Sequence, residues 1–253
     1  MSRFALLTTA GCWLLSSVLF AQTPDAEKPV IKLATTLGVL PGSTTKFLLR
    51  GLKLDDAKEI KCSDGKSSAK ILSQGNADTM QMQDAKRVGD RKVEIELTVP
   101  ADATVGELSL VVVTGKGESA PYMLLVGGEF PITEEKEAND GFRAAQPIAV
   151  PQIIAGQIHG DRNVDVFVFE GQAGQKIVCE LLAARRGSNL DGLLSLYNER
   201  NVMLATNDDL SAETNDARLE VTLPAAGKYF LVLQDAHDLG GQAHPYRLTV
   251  RPN

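Results

Sequence analysis

Glu135, Glu137, Asn139 and Asp140 fall within six consecutive residues. In an extended chain alternate side chains project to one side, so Glu135, Glu137 and Asn139 are placed to converge. Carboxylates and amides are hard oxygen donors, and calcium takes six to eight such oxygens at about 2.3–2.6 Å. The segment offers three carboxylates and one amide, and Asp161 and Asp165 in a following hairpin offer two more carboxylates. The alternative is a solvated acidic linker, with Asp161 and Asp165 capping a turn. Zinc prefers cysteine and histidine, so these donor types do not point to it. A second polar group, Asn207, Asp208, Asp209, Glu213, Asn215 and Asp216, lacks the D-x-D-x-D-G spacing of an EF-hand loop. It is read as a polar turn that organises its own loop.

Catalytic chemistry has little to work with. His159, His237 and His244 are the only histidines, and none lies in H-E-x-x-H. No G-x-S-x-G elbow is present. Ser188, beside Arg185 and Arg186, has no evident histidine and carboxylate partners. No P-loop or G-x-G-x-x-G phrase occurs, and Gly115-Lys116-Gly117 is explained by a hairpin. The expectation is a protein that is not an enzyme. A hydrolase of unknown type would need a deep pocket with converging carboxylates or histidine.

The elements that must position the acidic residues are strands. Apolar residues recur mostly at every second position: Val93, Ile95, Leu97 and Val99 share one face, and the segments 218–223 and 246–251 alternate in the same way. Turn punctuation at Pro41-Gly42, Asp64-Gly65, Gly227 and Gly240-Gly241 separates short runs. No long amphipathic helical pattern is visible. The predicted fold class is all-β, with two β-sandwiches.

The 253 residues suffice for one large or two ordinary domains. Residues 1–21 read as a secretory signal peptide: Arg3, an apolar stretch from Phe4 to Phe20, then Ala21 before polar chain. Thr8, Thr9, Gly11, Ser16 and Ser17 dilute that stretch below what a membrane anchor wants, and no other segment is long and apolar enough to span. Export to the periplasm, the cell surface or the medium is expected, with no membrane span once the signal is removed. A domain boundary is placed at Gly127-Gly128, giving residues 22–128 and 129–253. Charge changes there: the first part has 14 basic and 14 acidic residues, the second 11 basic and 18 acidic, a net of -7. The whole chain carries -6, which argues against a nucleic-acid partner, since that needs a basic face. Cys62 and Cys179, 117 positions apart, fall one in each part and are expected to remain unpaired thiols.

Two resemblances refine this reading. The phrase from Thr98-Val99-Pro100-Ala101-Asp102 through Gly106 to Thr114-Gly115-Lys116-Gly117-Glu118-Ser119 is similar to the close of immunoglobulin-like IPT/TIG modules of bacterial exported proteins. It implies an Ig-like spacer or interaction sandwich over about residues 29–127. The second half resembles the bacterial pre-peptidase C-terminal (PPC) domain, related to the collagen-binding domains of clostridial collagenases. The phrases, in order, are Glu135 to Asp140, Gly160-Asp161-Arg162-Asn163-Val164-Asp165, Ala173-Gly174-Gln175, Asn189-Leu190-Asp191-Gly192, Asn207-Asp208-Asp209, Pro224 to Val232 and Tyr246 to Val250.

The PPC resemblance implies a jelly-roll-like sandwich of eight or nine strands. It also implies a calcium site in which Glu135, Glu137, Asn139 and Asp140 are joined by Asp161. PPC domains commonly follow a peptidase, and no peptidase precedes this one. The function expected is therefore binding or scaffolding toward a protein or extracellular polymer, with calcium ordering the linker. A carbohydrate- or collagen-binding module is the alternative. It would need an exposed row among Tyr122, Tyr197, Tyr229 and Tyr246, where core packing is the default.

Overall fold

The computed structural model describes residues 27–78 and 84–253. The expected signal segment 1–21, with Arg3, Cys12 and Trp13, lies outside the described residues. Strands make up nearly all of the regular structure, and they form two sandwiches.

The first sandwich is built from β1 (Val30–Ala34), β2 (Gly38–Val39), β3 (Thr44–Leu52), β4 (Glu59–Cys62), β5 (Ser68–Asn76), β6 (Arg91–Thr98), β7 (Gly106–Thr114), β8 (Gly117–Glu118) and β9 (Tyr122–Val126). One sheet runs β1-β3-β6-β5 and the other β2-β9-β7-β4, with β8 returning on β7. The alternation read from the sequence sets the packing. Val93, Ile95 and Leu97 of β6 meet Leu108, Leu110 and Val112 of β7 in one core. Burying each such side chain contributes about 1.5–3 kcal/mol. A single-turn helix, α1 (Ala85–Val88), is capped by Asp84, whose carboxylate accepts from the Lys86 N–H at 2.9 Å. Gly51 must be glycine: a Cβ there would sit 1.9 Å from the Val30 carbonyl oxygen.

The second sandwich comprises β10 (Ile132–Glu134), β11 (Gln146–Pro147), β12 (Gln152–Gln157), β13 (Val164–Gly171), β14 (Lys176–Leu182), β15 (Gly192–Asn198), β16 (Met203–Asn207), β17 (Arg218–Thr222), β18 (Gly227–Asp235) and β19 (Pro245–Pro252). Its sheets are β10-β12-β19-β14-β17 and β11-β13-β18-β15-β16. Phe167, Leu194 and Leu231 of one sheet face Ile154, Cys179 and Leu248 of the other. Among the described strands, none before residue 127 pairs with one after 131.

The two sandwiches touch through specific polar contacts. Buried Arg247 donates from Nη2 to the Gly127 carbonyl at 2.8 Å, so β19 holds the linker. Arg186 pairs with Glu107 at 2.6 Å. Leu33, Val88 and Ala243 form a small apolar cluster across the junction. Among the described residues, Cys62 and Cys179 are both free; Cys179 is buried and Cys62 half-buried. Burial pushes their thiols up, to about 12 and about 11 respectively, so neither has a reactive thiolate at neutral pH.

Candidate metal centre

The acidic segment is seated by strand pairing. β10 runs parallel to β12, with Ile132 beside Ile153, Thr133 beside Ile154 and Glu134 beside Ala155. The Glu135 N–H donates to the Ala155 carbonyl at 2.9 Å and continues that register. Residues 135–137 therefore run alongside the chain leaving β12, which ends in Ile158 and His159. Further on, the Asn139 carbonyl accepts from the Val166 N–H at 3.0 Å, which ties the segment to β13. Asp140 Oδ1 accepts from Asn163 Nδ2 at 2.9 Å, and Asn163 Oδ1 accepts from the His159 N–H at 2.8 Å. Two strands and one turn thus fix the segment.

This frame brings Glu135, Glu137, Asn139 and Asp140 to the mouth of β13, where Asp165 projects inward. Asp165 is fully buried, and its Oδ2 accepts a 2.5 Å hydrogen bond from the Tyr246 hydroxyl. Asp161 is exposed in the turn before β13, whereas Asp165 lies within that strand.

His159 is the residue that the sequence reading did not place here. Its Nδ1 lies 2.8 Å from Glu137 Oε1 and 3.7 Å from Glu135 Oε2. Glu135, Glu137 and His159 each present a ligand atom within 4.8 Å of the others. Register could have signalled this, but the pairing of β10 with β12 is a tertiary fact that local sequence does not carry.

Electrostatically the site lacks positive charge. Burial pushes the Asp165 carboxyl up to about 8; the Tyr246 hydrogen bond opposes this, and Glu135, Glu137 and Asp140 add repulsion. Burial also raises Glu135, opposed by His159 and reinforced by Glu137 and Asp140. The Tyr246 phenol is held well above its ordinary value, first by burial and then by the Asp165 carboxylate. Four buried polar atoms of the site have no hydrogen-bond partner: Glu135 Oε1, Asn139 Oδ1, Asn139 Nδ2 and Asp165 Oδ1. The Glu135 side chain is 3% exposed, and Asn139 and Asp165 are 0% exposed. Each unsatisfied buried group costs about 1–3 kcal/mol. A cation in contact with the three oxygens would relieve their share of that cost, though not that of the Asn139 amide donor.

The site borders a cleft of about 350 Å³ between the sandwiches. Its lining includes Glu135, His159 and Tyr246 from one side and Thr36, Ser43 and Lys46 from the other. The Ser43 and Thr36 hydroxyls donate to the Leu40 and Gly38 carbonyls, so neither is directed to His159 as a nucleophile.

In the second polar group, Asp208, Asp209, Glu213 and Asn215 are exposed, as a polar turn requires, while Asp216 forms a buried knot. Asp216 is fully buried and accepts from the backbone N–H groups of Ala183 and Ala184 at 2.9 and 2.6 Å. It also accepts from Arg185 Nε at 2.5 Å. Asn207 Oδ1 accepts from the Arg218 N–H. The tyrosines form no exposed row. Tyr229 and Tyr246 are buried, Tyr122 is half-buried, and half-buried Tyr197 packs on Phe142 with ring centroids 5.3 Å apart.

Among solved structures, the chain is similar to the pre-peptidase C-terminal domain of collagenase from Bacillus anthracis. The identity is 21%, the match covers 42% of this chain and 94% of that one, and the TM-score is 0.35. It is similar also to PliG, a periplasmic inhibitor of g-type lysozyme from Aeromonas hydrophila (15% identity, 49% and 98% covered, TM-score 0.33). A third is SGBP-B of the mixed-linkage glucan utilization locus of Bacteroides ovatus (12% identity, 90% and 76% covered, TM-score 0.29). No curated protein matches the sequence. The family model that matches begins just before β13, so Asp165 lies within it and Glu135 to Asp140 and Asp161 precede it. Residues 163–235 of the second sandwich match the bacterial pre-peptidase C-terminal domain.

Proposed function

We propose that this protein is an exported, non-enzymatic binding or scaffolding protein whose second sandwich is ordered by calcium. The observation that carries the calcium reading is the set of fully buried oxygen atoms without partners on Glu135, Asn139 and Asp165. Glu135, Glu137, Asn139 and Asp140 would hold the ion, with Asp165 in place of Asp161. Calcium, when bound, supplies the positive charge that offsets the mutual repulsion of these carboxylates. Tyr246 holds Oδ2 of Asp165 and leaves Oδ1 for the ion. Asn163 clamps Asp140 against the turn that carries His159.

The site lies just after the linker gripped by Arg247, so ion binding would stiffen the junction between the sandwiches. Two sandwiches held in one orientation would then present their loops to a protein or extracellular polymer. The PPC match supports an accessory role. The buried and half-buried tyrosines speak against a flat sugar-stacking platform.

The test is thermal unfolding of the chelator-stripped full chain with and without millimolar calcium, paired with co-sedimentation on insoluble collagen and insoluble glucans. A calcium-induced rise in melting temperature that Glu137→Ala removes supports the metal reading. An unchanged melting temperature would overturn it. Retention on collagen alone would point to the collagen-binding reading, and retention on glucans alone to the carbohydrate-binding one.

A further inference from the structure

The acidic centre contains a nitrogen donor that a purely hard-cation site has no use for. His159 reaches it because the parallel β10–β12 register sets residues 135–137 beside the chain that leaves β12. Its backbone is fixed by Asn163, which accepts the His159 N–H and donates to Asp140. The ring is not packed in the core: the side chain is 50% exposed, yet Nδ1 points at Glu137 and lies within reach of Glu135. Glu135 is the buried member, with Oε1 unpartnered.

We propose that the same centre binds a borderline transition-metal dication, of which zinc is the representative, through His159 Nδ1 and one carboxylate oxygen each from Glu135 and Glu137. The proposal rests on the reading of Glu135 and Glu137 as cation ligands. It adds a second class of metal and a ligand that the calcium set does not contain.

Three features of the geometry agree. Metal–ligand bonds of about 2.0–2.2 Å in a tetrahedron place ligand atoms about 3.3–3.6 Å apart. The observed Nδ1–oxygen distances of 2.8 and 3.7 Å bracket that edge, so small side-chain rotations suffice. Imidazole suits zinc, copper and nickel, whereas calcium and magnesium take oxygen. Backbone support is in place, with Gln157 hydrogen-bonded to the Glu135 carboxylate. An entry path exists as well, because His159 and Glu135 both line the interdomain cleft. Three protein ligands would leave a fourth position open to solvent there.

The experiment is titration calorimetry of the chelator-stripped full chain with zinc and, separately, with calcium, on wild type, His159→Ala, His159→Gln and Glu137→Gln. Cobalt(II) absorption in the visible region reports a nitrogen-containing, low-coordinate site independently. The expected result is one zinc per chain, weakened at least tenfold in both His159 variants, with calcium affinity kept within about threefold. Glu137→Gln should weaken both metals, and His237→Ala, at an exposed histidine elsewhere, should change neither. Circular dichroism confirms folding of each variant. Zinc binding that is absent, or is equal in wild type and both His159 variants, would overturn this inference while leaving the calcium reading intact. Zinc binding lost with His159 but no calcium binding in any variant would sustain it and overturn the calcium reading.

Discussion

The Tyr246 hydroxyl donates a 2.5 Å hydrogen bond to Oδ2 of Asp165, and both residues are buried. Tyr246 stands in β19 and Asp165 in β13, strands of opposite sheets of the second sandwich. The bond therefore joins the two sheets of the sandwich. It leaves Asp165 Oδ1 buried and unpartnered beside an acidic segment.

Removing that hydroxyl tests the relationship. Tyr246→Phe keeps the ring and leaves a buried carboxyl without its donor, which should cost about 1–3 kcal/mol. Urea unfolding of the metal-free chain should show that loss. Millimolar calcium should recover part of it, since the ion would satisfy the same carboxylate. An unchanged unfolding midpoint would mean that the Asp165 carboxyl finds another partner.

Asp216 should matter for stability and not for metal. Its buried carboxylate joins two backbone N–H groups to the partly exposed Arg185, and leaving buried N–H groups without an acceptor costs about 1–3 kcal/mol each. Asp216→Ala should lower the melting temperature strongly, and Asp209→Ala, at an exposed position, should not. In both variants the calcium-induced rise should persist. Its loss in Asp209→Ala would move the metal site to this loop.

His244 sets a pH dependence. It is fully buried, and neither ring nitrogen has a hydrogen-bond partner. Burial holds its pKa below the ordinary 6.5, with Asp235, the Gly241 backbone (near the ring but outside good hydrogen-bond geometry) and Asp161 opposing and Arg87 adding to the shift. A depressed histidine means that the unfolded chain binds the proton more tightly, so stability is lost as pH falls below about 6.5. Between pH 7.5 and 5 the His244 contribution should therefore decline, against the opposite slope of Asp165 raised to about 8, so the wild type should lose more (or gain less) unfolding free energy over that interval than His244→Leu. The same slope in both proteins would assign the acid sensitivity to other groups.

Much of the fold was legible because one signal dominates it. The alternation at Val93, Ile95 and Leu97 fixes which face of β6 is buried, and the structure buries those residues. The alternating segments 218–223 and 246–251 correspond to β17 and β19. The two-residue strands β2 and β8 are too short for a period to register, and α1 is a single turn set by the Asp84 cap. At the site, Glu135, Glu137, Asn139 and Asp140 were visible from type and spacing. The unpartnered, buried Oδ1 of Asp165 was not, because its burial depends on where β13 begins. His159 was not placed at the site, since nothing local to residue 159 reveals that β10 runs parallel to β12.

The most direct test of the account is isothermal titration of calcium into the chelator-stripped full chain, comparing wild type with Asp165→Asn and Asp161→Asn. The account expects one calcium per chain. At a hundredfold excess over Kd such binding stabilises by about 2.7 kcal/mol, which for a domain of this size is a rise of roughly 10 °C in melting temperature. Asp161→Asn should bind like wild type, and Asp165→Asn should lose at least tenfold in affinity. No heat and no change in melting temperature, or loss of binding in Asp161→Asn with Asp165→Asn unaffected, would contradict the site described.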